Sequence, residues 1–290
     1  MVNFKLFKDL TIIIVLFKEP LDLIKKTLEQ IQNLKIIIID NANDLELKKT
    51  ITSSFKISKY ILNKKNNGFS AGYNQGIKLS DSKYTLVLRP DCLISKRDIK
   101  LLLETICKYD NTTLVIPTSY DKNNNLTYAG GLLSDKFGKS EVLQLEGDVC
   151  VENVLGACML FKTQDFKERI IYFDENFFLY FSDDDLCRRL KFLKKPIIQV
   201  YEAKCIHIHG IIKVNNKYKK IFIREFNFTY DKFYYFYKVD KHKSEIDTFK
   251  KKIPKYVVRF FIKIFTFQFQ EALRLFSRLF AYYKFKRKYF

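Results

Sequence analysis

The stretch FFLYFSDDDLCRRL, Phe177 to Leu190, decides how the rest of the chain is read. Three adjacent aspartates, Asp183, Asp184 and Asp185, stand between an aromatic run and a basic pair. Neighbouring carboxylates repel one another, so a segment gains little from them unless a cation or a proton-transfer task uses them. The LCRRLKFL pattern predicts a helix starting near Ser182, whose exposed N–H groups and dipole favour negative charge. The plain structural reading therefore makes Ser182 an N-cap and the aspartates complements of the helix end. The spacing also predicts a structural Asp185–Arg189 pair and a solvated Asp184.

Working outward towards the N-terminus, TIIIVL (Thr11 to Leu16) is an unbroken apolar run, as expected of a strand buried on both faces. Leu21, Ile24, Leu28 and Ile31 then recur at helical spacing, and Ile36 to Ile39 forms a second apolar run ending at Asp40. With Ile57 to Leu62 as a third strand, this alternation predicts an α/β fold, its mostly parallel central sheet flanked by helices. Ligands of such sheets gather at the carboxyl ends of strands, where Asp40 is expected to bond a ribose or base, or else to form a turn. Gly68, Gly72 and Gly76 recur every four residues in NNGFSAGYNQGI, with Ser70 as a helix cap. Small residues on one helix face permit close approach of a backbone or a nucleotide. A fourth strand, Thr85 to Leu88, runs straight into Arg89-Pro90-Asp91, which places Asp91 to hold a divalent cation. Beyond residue 117 the sequence reads as an edge excursion, followed by an apolar strand Val154 to Phe161 that contains Gly156-Ala157. After the aspartates, Ile197 to Tyr201 is a further strand, and CIHIHG carries His207 and His209. If extended, these two histidines face opposite sides, so at most one reaches a common site.

Charge and composition narrow the classes. The net charge is +20, yet Lys241 to Phe290 holds 14 Lys/Arg against three Asp/Glu, over half of the excess. A nucleic-acid binder would carry its basic stripe on the folded body, so nucleic acid is not the expected partner. Six scattered cysteines without a Cys-x-x-Cys pair fit neither a zinc cage nor a disulfide framework, and point to a reducing, cytoplasmic setting. No signal peptide is evident, and no uncharged apolar run is long enough to span a bilayer. Residues 241–290 are expected to form a basic amphipathic helix with Val258, Phe261, Phe265, Phe269, Ala272, Phe276, Leu279 and Tyr283 on one face. Such a segment suits the inner face of an anionic plasma membrane; core packing or a homodimer contact is the alternative.

Taken together, IIIIDNAND, NNGFSAGYNQGI, LVLRPD, GACMLF, FDENFFLYFSDDDLCRRL and HIHG occur in the order seen in family 2 inverting glycosyltransferases, which the chain resembles from about Thr11 to Lys238. The resemblance is to the rhamnosyltransferase-like branch acting on bacterial surface polysaccharides. It implies a GT-A fold over residues 1–240, a nucleotide-diphosphate-sugar donor, a growing glycan or lipid-linked acceptor, and Mg²⁺ or Mn²⁺. By position it implies Asp183 as catalytic base and Asp91 as metal ligand, with His207 or His209 completing the metal site. Asp40, Gly68, Phe69 and Asn74 would shape the nucleotide pocket, while Gly156 and Ala157 would line the sugar and acceptor side. Arg89 stands where a polar or acidic residue is usual, and an arginine there can pair bidentately with phosphate. Ser182 replaces the usual glutamate before the base, and Phe17-Lys18 the usual Tyr-Asn. The alternatives are a nucleotidyltransferase, poorly matched by FKEP, and a catalytically impaired member that binds sugar nucleotide or membrane. By resemblance alone, dTDP-rhamnose is the first-choice donor.

Overall fold

Strand β1 (Leu10–Leu16) is buried at all seven positions, and the sheet is assembled around it. The computed structural model describes residues 4–128, 131, 146–208, 216–239 and 243–290. The chain divides into two units, 1–174 with 183–213 and 175–182 with 214–290.

The first unit runs α1 (Phe4–Lys8), β1, α2 (Leu21–Gln30), β2 (Lys35–Asp40), α3 (Leu45–Ser54), β3 (Lys59–Leu62), α4 (Gly68–Lys78), β4 (Tyr84–Leu88), β5 (Cys92–Ile94) and α5 (Lys96–Lys108). It continues through β6 (Leu114–Tyr120), β7 (Leu126–Tyr128), β8 (Val149–Val151), β9 (Cys158–Lys162), α6 (Thr163–Lys167), α7 (Ser182–Phe192) and β10 (Ile197–His207). The main strand order is β3-β2-β1-β4-β9-β6-β10-β5. Strands β1 to β4 pair in parallel. Beyond them β9 runs antiparallel to both β4 and β6, and β5 antiparallel to β10. The sheet is therefore mixed: a parallel half, β3-β2-β1-β4, is continued by antiparallel pairings through β9 and β5.

Side chains alternate along β1, so helices on both faces bury it. Ile12, Ile14 and Leu16 pack with Ile24 and Leu28 of α2 and Leu102 of α5. Ile13 and Val15 pack with Tyr73 and Ile77 of α4 and Leu186 of α7. The four-residue glycine spacing finds its reason here. A Cβ on Gly76 would lie 2.3 Å from Ile13 Cγ2, and one on Gly72 2.8 Å from Val15 Cγ1. These glycines thus let α4 sit directly on β1. Asn67 precedes α4, which opens at Gly68 with φ 85°, so Ser70 lies inside the helix and is not its cap. The expected strand from Val154 begins only at Cys158, and residues 197–207 form one strand with a bulge between Val200 and Lys204. All six cysteines are free thiols.

The second unit comprises α8 (Lys217–Lys238), α9 (Lys243–Phe265), α10 (Phe269–Tyr289) and residues 175–182. Its core gathers Phe177 and Phe181 with Phe233, Phe236 and Phe285. Asp231 of α8 accepts the backbone N–H groups of Phe178, Leu179 and Tyr180 at 3.2, 2.9 and 2.9 Å. The helices of this unit begin, among the described residues, with α8 at Lys217, and residues 175–182 from mid-chain join them. Its last fifty residues form two helices broken at Thr266–Gln268, not one continuous stripe. Ala272 is buried, whereas Phe265, Phe269 and Phe276 remain exposed.

Candidate active site

Asp183 enters the first turn of α7 just after Phe181, whose backbone is left-handed at φ 63°. Its Oδ2 accepts the Gly156 N–H at 2.9 Å, and a Cβ on Gly156 would stand 2.9 Å from that same oxygen. Glycine at 156 is thus needed to let the backbone hold the carboxylate. The neighbouring aspartates diverge from this role. Asp185 accepts Arg189 Nε at 2.9 Å, and the guanidinium lies 3.9 Å from the Tyr172 ring centre, as the spacing predicts for a structural pair. Asp184 corrects an expectation: it is half-buried rather than solvated. Burial, with the adjacent Asp183 charge, pushes its carboxyl well above the usual range.

The second part of the site follows β4. Asp91 is 6% exposed and receives Arg89 bidentately, Nε to Oδ1 and Nη2 to Oδ2, both at 3.0 Å. His207 Nε2, at the end of β10, lies 3.4 Å from Asp91 Oδ1. Burial alone would raise the Asp91 carboxyl, but His207 and the Arg89 cation outweigh it and hold it below its usual value. The Arg89 guanidinium lies 5.7 Å from the Phe69 ring centre. His209 falls outside the described residues.

Burial pushes the Tyr73 hydroxyl well above its usual value; the Arg89 cation opposes this, and the Asp91, Asp183 and Glu19 charges add to it. Arg89 is in turn sustained by both Asp91 and Asp183. The geometry that links the two parts is one dipeptide: the Gly156 N–H donates to Asp183, and the Ala157 carbonyl accepts the N–H of Arg89, the partner of Asp91. Glu19 follows the end of β1, its Oε2 accepting the Phe17 N–H at 2.6 Å. Burial lifts its carboxyl to about 7, and the Asp91 charge adds to the shift. Sequence reading passed over Glu19 because FKEP matched no motif. Its position at the carboxyl end of a central strand was the available signal.

Other expected contacts have structural duties. Asp40 is fully buried and accepts Ala42 N–H, Asp44 N–H and the Tyr60 hydroxyl, so it builds the turn after β2, the alternative its sequence context offers. The Asn74 amide clamps the Phe173 backbone, donating to its carbonyl at 2.7 Å and accepting its N–H at 3.0 Å. Ala157 has its methyl in the core and offers its carbonyl to the Arg89 N–H at 2.9 Å. Gly68 takes the left-handed turn that starts α4, and the Phe69 ring stands beside the Arg89 guanidinium.

A parallel four-strand half, an inserted antiparallel strand and acids at the strand ends define the GT-A glycosyltransferase class. The solved structures agree on the fold. GalNAc-T7 with UDP, GalNAc and Mn²⁺ superposes with a TM-score of 0.56 at 13% identity, over 77% of this chain but 49% of that one. A Pyrobaculum calidifontis mannosyltransferase in complex with GDP-Man and Mn²⁺ gives 0.51 at 10% identity, covering 76% of this chain and 62% of its own. The chain thus spans about half to two thirds of these proteins. The sequence model of glycosyl transferase family 2 matches residues 11–170, and the chain belongs to that family. The low-salt glycan biosynthesis hexosyltransferase Agl10 of Haloferax volcanii is 31% identical over 215 residues, 69% of this chain and 67% of that protein. The Escherichia coli rhamnosyltransferase WbbL is 26% identical over 212 residues, 64% and 78% respectively. The protein is a glycosyltransferase.

Proposed function

We propose that the enzyme moves a hexose or deoxyhexose from a nucleoside-diphosphate donor to a hydroxyl of a growing surface glycan, inverting the anomeric centre. The observation that carries this reading is that the Gly156-Ala157 dipeptide bonds Asp183 through one residue and Arg89, the partner of Asp91, through the next. Inversion asks for one base that takes the acceptor proton as its oxygen attacks, and Asp183, held by the Gly156 N–H, is that base. It also asks for positive charge on the departing diphosphate, which Arg89 supplies as a planar bidentate donor. The names of the two relatives, a glycan-biosynthesis hexosyltransferase and a rhamnosyltransferase, favour a glycan product and a rhamnose donor, and dTDP-rhamnose is the first to try.

Mg²⁺ or Mn²⁺ fits in part. No group of three or more metal-binding side chains occurs among the described residues, but Asp91 and His207 form a two-donor set. Such ions commonly take one or two protein ligands and complete their shell with phosphate oxygens. When bound there, the ion would add positive charge at the diphosphate, while Arg89 would have to share Asp91 with it.

Thermal shift of the protein with UDP, GDP and dTDP, each with and without Mn²⁺, tests donor recognition. One nucleoside diphosphate should raise the melting temperature. Asp183→Asn should retain that shift and lose turnover by about 10²-fold or more. No response to any diphosphate, or an Asp183→Asn variant that turns over normally, overturns the reading.

A further inference from the structure

The turn between α9 and α10 carries a feature that the transfer reaction does not use. Along α9, Val258, Phe261, Ile262 and Phe265 recur on one face, and all are exposed. Phe267 and Phe269 extend this apolar surface past the helix end, with Phe265 78% and Phe267 80% exposed. Helix α9 closes in a Schellman arrangement, Gln268 N–H to Lys263 O at 2.8 Å and Phe267 N–H to Ile264 O at 3.0 Å. The left-handed position of that motif normally takes glycine, yet here Phe267 occupies it at φ 55°. A bulky side chain is thus held in a disfavoured backbone conformation and buried against little. Folding gains nothing from that choice.

Charge says what covers the surface. Lys255, Arg259 and Lys263 form a row at four-residue spacing beside the apolar face, and no acidic residue occurs between Lys250 and Gln270. A second copy would bring like charge against like charge, whereas an anionic bilayer offers both an apolar phase and opposite charge. No described helix is long and apolar enough to cross a membrane, so the mode is interfacial.

We propose that the α9–α10 turn is a membrane-docking tip: Phe265, Phe267 and Phe269 enter the headgroup–acyl boundary, and Lys255, Arg259 and Lys263 hold anionic lipid. The full-length protein, without detergent, is sedimented with phosphatidylglycerol/phosphatidylcholine vesicles and with phosphatidylcholine vesicles alone. Binding should be at least tenfold stronger to the anionic vesicles and should fall as salt rises. The Lys255→Gln/Arg259→Gln/Lys263→Gln variant should bind on the order of a hundredfold more weakly. Phe267→Gly is the decisive variant, because glycine suits the turn: its melting temperature should hold or rise while vesicle binding drops. The proposal is overturned by equal binding to both vesicle types, by undiminished binding of Phe267→Gly, or by a concentration-dependent dimer in solution that Phe267→Gly dissociates.

Discussion

Glu19 shows how burial converts an ordinary side chain into a pH-dependent one. Its carboxyl rises from 4.5 to about 7, chiefly through burial. A raised acid contributes stability that is fully present below 4.5 and is lost as pH climbs through 7. The shift corresponds to a loss of up to about 3 kcal/mol across that window. Glu19→Gln, which can still accept the Phe17 N–H, should unfold in urea like the parent at pH 4 and be the more stable protein at pH 8. Equal pH profiles would show that the carboxyl is already solvated. Gly156 sets a different constraint, since its missing Cβ leaves room for Asp183 Oδ2. Gly156→Ala should displace the carboxylate and lower kcat by about a hundredfold with little change in melting temperature, as expected for a base misplaced by roughly 1 Å.

Among the elements, α4 on β1 is the contact with least tolerance. Gly76→Ala puts a methyl 2.3 Å from the branched Cγ2 of Ile13, which is fully buried and fixed at its own Cβ. Overpacking of this kind costs about 1–3 kcal/mol, measurable by chemical denaturation, whereas alanine in an open helix would stabilise. The strands of this half were legible in the sequence because burial on both faces leaves an unbroken apolar run, as in TIIIVL. The start of α4 was less legible. Ser70 has the chemistry of a cap, but the positive φ of Gly68 starts the helix two residues earlier. Asp40, at a strand end, was read as a nucleoside contact or a turn residue, and Asn74 as a pocket residue by the family resemblance. Only the coordinates reveal that Tyr60 and the Phe173 backbone already engage them. Asp91 and Asp183 were legible as acids, but the bidentate Arg89 clamp depends on an orientation that composition does not encode.

At the scale of the molecule, the aromatic residues of the helical unit occur both before and after residue 241. Phe233 of α8 and Phe285 of α10 lie 5.6 Å apart between ring centres, so both belong to one core. Asp231 joins residues 178–180 to that core through three backbone hydrogen bonds. Asp231→Ala removes their shared acceptor and should destabilise the protein by about 1–3 kcal/mol, since the three donors are only part-buried. Faster amide exchange at Leu179 and Tyr180 would confirm the cause; unchanged exchange there would refute it.

The chain leaves the first unit at Asp174 and re-enters it at Asp183, the residue proposed as the base. The helical part is consequently no detachable cassette. A cut near residue 213 would discard three helices yet strand Phe177 and Phe181 as an apolar loop directly upstream of Asp183, so trimmed or chimeric versions must carry both pieces together.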